Sequence, residues 1–328
     1  MKHAKKITAL LMALCLSLAM SLTAWAAGGF GGLNYSDDPS VAILKVYKLE
    51  GEGTSPAETF TLQQIGAGVV RDGEAASAPA LGTITGAAFA EGAATAKGAE
   101  ADIIVELPVY ERVGVYEYTL REVAGTTAGV RYYGNDIRLI VTVINDEKSG
   151  KLRIAAVHTE SVGAEKSDSF PNTYAAGTLH ITKTVTGNLG DKSRYFAFTV
   201  TLTGQAGKTY AESFAVSGGS HEENPTAVKL GEATTVYLKY GETLSIANLP
   251  YGVSYTVEEA TPEDYSVTMD GNRGTVDAAS VTAAFTNNKG GTPDTGISLD
   301  SLPYVAMLTL AAVGAVVMLL KKRFAKEA

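Results

Sequence analysis

Short segments of alternating apolar and polar character recur along this chain, at 43–49, 116–123, 137–144, 178–185, 196–202, 234–238, 255–259 and 281–285. Turn residues separate them, among them Gly125, Gly134-Asn135, Gly218-Gly219 and the stretch 270–274. A period of two places successive side chains on opposite faces of a strand, whereas an amphipathic helix needs apolar residues every three or four positions. Between its two ends the chain shows no long stretch of helical periodicity. Many short strands with frequent turn signals predict an all-β fold, either sandwich or barrel. The Ala/Gly-rich stretch 74–100 is low in complexity and reads as a long loop or insertion.

An internal repeat sets the domain count. Leu44-Lys45-Val46-Tyr47-Lys48 answers to Leu179-His180-Ile181-Thr182-Lys183. Phe170-Pro171-Asn172 answers to Phe285-Thr286-Asn287, and the aromatic segment ending in Glu122 answers to Tyr255-Thr256-Val257-Glu258-Glu259. Two domains are expected, at 34–175 and 176–290.

Strand parity then orients the charged residues. Leu44, Val46 and Lys48 share a face, as do Leu179, Ile181 and Lys183. Tyr116, Tyr118, Leu120 and Glu122 share one, and Tyr255 and Val257 share theirs with Glu259. Parity selects Lys48 over Lys45 and Glu259 over Glu258. Phe170 and Asn172 lie on one face, and Phe285 and Asn287 on another. Each domain is thus expected to aim one Lys, one Glu and one Asn at its interior. A lysine buried in apolar surroundings tends to lose its proton, and a carboxyl there favours its protonated form. A neutral amine beside an amide, with a carboxyl to polarise it, is set up for acyl transfer. The amine attacks the Asn side-chain carbon, the carboxyl shuttles protons, and ammonia leaves. The product is a Lys–Asn isopeptide bond, favoured by proximity and low dielectric. The alternative for any one lysine is a side chain that runs along apolar surface to reach water.

The two ends fix the compartment. Lys2, Lys5 and Lys6 precede an apolar stretch at 7–22, and Ala24-Trp25-Ala26 follows, so residues 1–26 read as a secretory signal peptide cut before Ala27. At the other end, 302–320 is apolar and long enough for a transmembrane helix. A basic cytoplasmic tail at 321–328 holds that end inside. Thr292-Pro293-Asp294-Thr295-Gly296 stands just before the span. The only cysteine, Cys15, lies in the signal peptide, so the secreted part has neither thiol nor disulfide. Between residues 27 and 295 the chain has 20 Lys+Arg and 33 Asp+Glu, a net charge of 20 − 33 = −13, which argues against nucleic acid as a partner. His158, His180 and His221 show no metal-ligand spacing, and no cofactor motif is present.

The x-Pro-x-Thr-Gly motif at 292–296, the apolar span and the basic tail together resemble the cell-wall sorting signal of Gram-positive surface proteins. That resemblance implies sortase cleavage between Thr295 and Gly296, with Thr292 standing where the common motif has Leu. The repeated Leu-x-hydrophobic-x-Lys, the aromatic strand ending in Glu and the Phe-x-Asn resemble two-domain Gram-positive backbone pilins built from isopeptide-linkage domains. The resemblance implies tandem immunoglobulin-like sandwiches of the collagen-adhesin B type. It implies cross-links Lys48–Asn172 with Glu122 and Lys183–Asn287 with Glu259. It also implies joining of the Thr295 acyl group to a lysine of the next subunit, for which Lys166 is the candidate. Partners would be sortase, neighbouring pilin subunits, peptidoglycan and host surface ligands. The only intrinsic chemistry would be a single-turnover reaction of the protein on itself. A monomeric wall-anchored adhesin with the same sandwiches remains an alternative, and a secreted glycosidase using two carboxylates a more distant one.

Overall fold

The structure is a computed structural model that describes residues 39–73, 75–162, 169–260, 262–291 and 302–324. The first part of the chain forms β1 (Ser40–Gly51), β2 (Glu58–Phe60), β3 (Leu62–Gln64), β4 (Val69–Gly73), β5 (Ile84–Thr85), β6 (Ala87–Phe89), β7 (Ala99–Glu106), β8 (Gly114–Glu122), β9 (Val130–Arg131), β10 (Ile137–Asn145) and β11 (Leu152–Ser161). The long strand β12 (Ser169–Thr186) follows. Then come β13 (Phe196–Thr203), β14 (Phe214–Gly218), β15 (Ala227–Val228), β16 (Ala233–Leu238), β17 (Thr243–Pro250), β18 (Ser254–Glu259), β19 (Ser266–Asp270), β20 (Arg273–Thr275) and β21 (Ser280–Asn288). A single helix, α1 (Leu302–Phe324), closes the described chain. Between the ends the fold is all-β.

One sheet runs the length of the molecule in the order β15-β14-β17-β12-β1-β7-β5, with β21 and β9 also on β12 and β19 on β21. A second sheet, β11-β10-β8-β3 with β4 on β8, faces its N-terminal part. A third, β16-β13-β18-β20, faces its C-terminal part. The apolar positions of each strand point between the facing sheets, which gives two cores. Tyr47, Phe60, Tyr118, Leu120, Ile137 and Phe170 belong to the first, and Leu179, Ile181, Phe198, Val236, Leu244 and Phe285 to the second. We refer to these as the N-terminal and C-terminal sandwiches.

Strand β12 serves both sandwiches. Its first residues pair in parallel with β1, from Leu44↔Ser169 to Gly51↔Ala176. Its later residues pair in parallel with β21, from Thr178↔Ser280 to Thr186↔Asn288. At about 3.3 Å per residue its 18 residues span roughly 60 Å. The expected boundary at 175/176 therefore falls inside a strand rather than in a linker.

The stretch 74–100 is more ordered than its composition suggests. It contributes β5 and β6 and buries Ala87, Phe89 and Ala94 in the N-terminal core. The Phe89 ring meets those of Tyr47 and Phe60 edge-on or tilted, with centroids 5.4 and 5.7 Å apart. Thr95 bridges to Lys48, and its carbonyl accepts the Leu49 N–H at 2.9 Å.

Helix α1 covers the stretch expected to cross a membrane. Among the described residues no helix is long and apolar enough to do so, and the anchor stands on the sequence. The signal peptide and the sorting motif lie outside the described residues.

Candidate functional site

Two buried polar clusters sit in the sandwich cores, one in each. In the N-terminal sandwich, β1 supplies Lys45, β8 ends in Glu122, and β12 supplies Asn172. All three are buried, Lys45 to 1% exposure and Asn172 to none. The Lys45 ammonium contacts a Glu122 carboxylate oxygen and donates to Asn172 Oδ1 at 2.7 Å. Asn172 Nδ2 donates to the other Glu122 oxygen, which also accepts the Tyr133 N–H at 3.3 Å. Aromatic rings close the site. Lys45 Nζ lies 5.2 Å from the Phe60 centroid and 5.8 Å from that of Tyr133.

In the C-terminal sandwich the parts recur. Lys183 in β12 donates to Glu259 Oε1 at 2.6 Å, and Asn287 Nδ2 in β21 donates to the same oxygen at 2.6 Å. Glu259 Oε2 and Asn287 Oδ1 are buried without a hydrogen-bond partner. Lys183 Nζ stands 4.2 Å from the Phe196 centroid and 5.5 Å from that of Phe198. Burial pushes the Lys45 amine below the usual lysine range, against the attraction of Glu122. Burial does the same to Lys183, against its hydrogen bond to Glu259. Both lysines are thereby moved towards the neutral, nucleophilic amine. Two sites with a lysine, a carboxyl and an amide in hydrogen-bond contact, walled from water, can carry out acyl transfer from the amide to the amine.

One expected site residue is corrected. Lys48 is exposed, and Lys45 takes the interior place. The parity of β1 is the reverse of that read from the sequence: Ile43, Lys45 and Tyr47 face the core. The reason is that β1 is covered on both sides. Val46, on the outer face, is 7% exposed. The chain at Gly98 lies so close that a Cβ there would come within 2.5 Å of Val46 Cγ1. An apolar residue on either face therefore reads as core, and Leu44 and Val46 point the count the wrong way. Pairing Lys45, rather than Lys48, with Lys183 was the available signal.

Glu122, Asn172, Lys183, Glu259 and Asn287 are placed in the two clusters, while Glu258 is exposed. Lys166, Thr295 and Gly296 lie outside the described residues. Sequence reasoning missed the Phe60, Tyr133 and Phe196 rings, which come from segments with no counterpart in the repeat. The histidines serve elsewhere: His180 Nδ1 bonds Ser245 Oγ at 2.8 Å, and His221 stacks on Tyr237 at 4.3 Å. Among the described residues no group of three candidate ligands could hold a metal ion.

Comparison with known proteins follows the same division. Residues 43–175 match the family described as Spy0128-like isopeptide containing domain. Residues 177–289 match a domain of unknown function, DUF7601. A pilin from Streptococcus pyogenes serotype M1 is 28% identical over 237 residues, covering 65% of this chain and 69% of the relative. The pilus tip adhesin Cpa of Streptococcus pyogenes is 36% identical over 129 residues, covering 37% of this chain and 18% of the adhesin. The crystal structure of the major pilin from Streptococcus pyogenes aligns with a TM-score of 0.48 at 23% identity, over 77% of this chain and 99% of that one. On the sequence matches, residues 43–175 form a Spy0128-like isopeptide containing domain, and the chain is similar to a Streptococcus pyogenes pilin.

Proposed function

We propose that this chain is the structural shaft subunit of a covalently assembled surface pilus, each sandwich locked by a self-formed bond, Lys45–Asn172 in the first and Lys183–Asn287 in the second. The observation that carries the reading is the repeated cluster in which one buried carboxylate bonds both a buried lysine and a buried asparagine, in the same strand register. In each site the neutral amine nitrogen attacks the Asn Cγ, and the new N–C bond forms as the amide C–N bond breaks. The Glu carboxyl takes a proton from the attacking nitrogen and returns one to the leaving nitrogen, which departs as ammonia. Each site turns over once and consumes no cofactor.

The cross-links suit a load-bearing role. Asn172 and Lys183 both lie on β12, so tension passes from one bond to the other along a single paired strand. Assembly is the sequence's part of the proposal. A signal peptide exports the chain, and the apolar 302–320 segment with its basic tail retains it in the membrane. Sortase then cleaves between Thr295 and Gly296 and joins Thr295 to Lys166 of the next subunit, or finally to peptidoglycan. Lys166 belongs to the connection between β11 and β12, and the chain leaves β21 towards the motif. β12 begins at Ser169, and β21 ends beside Thr186 at the other end of that strand, roughly 55 Å away at strand rise, which suits head-to-tail growth. Immunoglobulin-like topology and binding of host surfaces belong to the same reading.

The match to a tip adhesin favours a second reading, a monomeric wall-anchored adhesin. Two measurements decide. The intact mass of residues 27–291 should fall short by one ammonia per bond, and peptide mapping should find Lys45 joined to Asn172 and Lys183 to Asn287. A full mass rejects the cross-links. On cells, a ladder of boiling-resistant multimers supports the shaft, and a single band supports the adhesin.

A further inference from the structure

The covalent path between the sandwiches is one strand, and a lone strand bends easily across its pleat. Three sets of contacts surround β12 where it passes from one core to the other. The first centres on Asn248 in β17, whose φ of 58° is the one left-handed value found outside glycine among the described residues. Its Oδ1 accepts the Thr54 N–H at 3.0 Å and the Tyr174 hydroxyl at 3.2 Å, both from the N-terminal sandwich. Gly53 makes room for it, since a Cβ there would fall 2.3 Å from that oxygen. The second is the turn after β17, where the Tyr251 N–H donates to the Ala175 carbonyl at 2.9 Å. The third lies in the facing layer. The loop after β8 meets the loop after β13: Ala128 N–H donates to Thr209 O at 2.9 Å, and Thr209 N–H donates to Thr126 O at 2.8 Å. The Thr126 and Thr209 hydroxyls bond at 2.9 Å, and the Thr127 hydroxyl anchors the loop to the Glu58 carboxylate.

We infer that these contacts form a lock that fixes the two sandwiches in one relative orientation, with Asn248 and Thr209 as its keys. Contacts in both layers resist bending in either direction as well as twist about β12. Clefts of about 280 and 320 Å³ open beside the junction, the larger lined by Thr54, Tyr174, Thr209 and Asn248. Beyond the strand pairing of β12 itself, these hydrogen bonds join the two sandwiches, so substitutions at Asn248 and Thr209 should loosen their orientation. An Asn tolerates the left-handed backbone better than most residues, so its presence at 248 keeps both the conformation and the acceptor. The lock is independent of the cross-link chemistry, which lies inside each core.

The test is the distance between the sandwiches in the secreted chain. That chain contains no cysteine of its own, so spin labels can be attached to Glu147→Cys and Glu232→Cys, both exposed positions. Pulsed electron resonance should give one narrow distance. Adding Asn248→Gly, which keeps the backbone freedom and removes the acceptor, together with Thr209→Pro, which removes the N–H, should replace that peak with a broad distribution. Asn248→Gly alone should broaden it less and should expose the Thr54 amide to hydrogen exchange while core amides stay protected. A broad distribution in the parent overturns the lock, and so does a narrow one in both variants. If Thr209→Pro prevents folding, Asn248→Gly alone decides by the same criterion.

Discussion

Lys45 stands opposite Phe170 in the parallel pairing of β1 with β12, and Lys183 stands opposite Phe285 in the pairing of β12 with β21. In both sandwiches the lysine is thus set against the aromatic residue two positions before the site asparagine. Parallel pairing brings the start of each sandwich beside its end, so one register serves for both sites. A slip of one residue would turn the lysine to the other face of the sheet.

That register makes Lys45 and Lys48 easy to separate. Lys45→Ala should restore the mass of one ammonia to the secreted chain and leave a single cross-linked pair of peptides. Lys48→Ala should leave the mass unchanged. Intact-mass measurement of the two proteins gives the answer, and a normal mass deficit in Lys45→Ala would sink the assignment.

Glu259→Ala should abolish the second bond and leave Lys183 in the core without its carboxylate. A cross-link closing a loop of about one hundred residues contributes on the order of 5 kcal/mol in the chain-entropy account, and breaking a buried pair adds about 3–5 kcal/mol of destabilisation. The C-terminal sandwich should unfold at markedly lower denaturant while the N-terminal one holds. Fluorescence and proteolysis of each half report the two transitions separately.

A protein without the bonds should show a distinctive pH dependence. In Asn172→Ala/Asn287→Ala both lysines stay buried and unreacted. Their folded-state pKa values lie below the ordinary lysine value because of burial. Between the lowered value and the ordinary one the unfolded chain binds more protons, so stability rises with pH across that window. Below the lowered value both states are protonated and the slope vanishes. Urea midpoints taken from neutrality into the usual lysine range should climb, and Lys45→Met/Lys183→Met added to this protein should flatten the rise.

The stretch 74–100 should matter to stability despite its composition. Phe89→Ala removes a 6%-exposed ring from the N-terminal core, a change that costs about 3–5 kcal/mol in well-packed interiors. Thermal unfolding should show an early loss of the N-terminal sandwich, with the C-terminal sandwich unmoved. A shift no larger than that of a surface substitution would mean the segment is only loosely attached.

The alternating segments at 116–123, 137–144, 196–202 and 255–259 were legible as strands because one face of each is apolar and the other is not. The partners in the clusters were legible for the same reason: Glu122, Glu259, Asn172 and Asn287 sit on strands whose faces differ. Lys183 follows Leu179 and Ile181 at the same parity and needed no further information. The sequence also determined the absence of disulfides, and with it the need for another device if the sandwiches are to resist load.

Tertiary structure decided the rest. Lys45 against Lys48 could not be settled along the strand, because the 95–98 segment covers the outer face of β1 and makes both faces apolar. The order of 74–100 arises from contacts of Phe89 with Tyr47 and Phe60, which are distant in sequence. The union of the two halves through β12 and the bonds of Asn248 and Thr209 across the junction depend on which ends the fold brings together. Local pattern records what one residue needs from its surroundings, and only the folded chain determines which surroundings reach it.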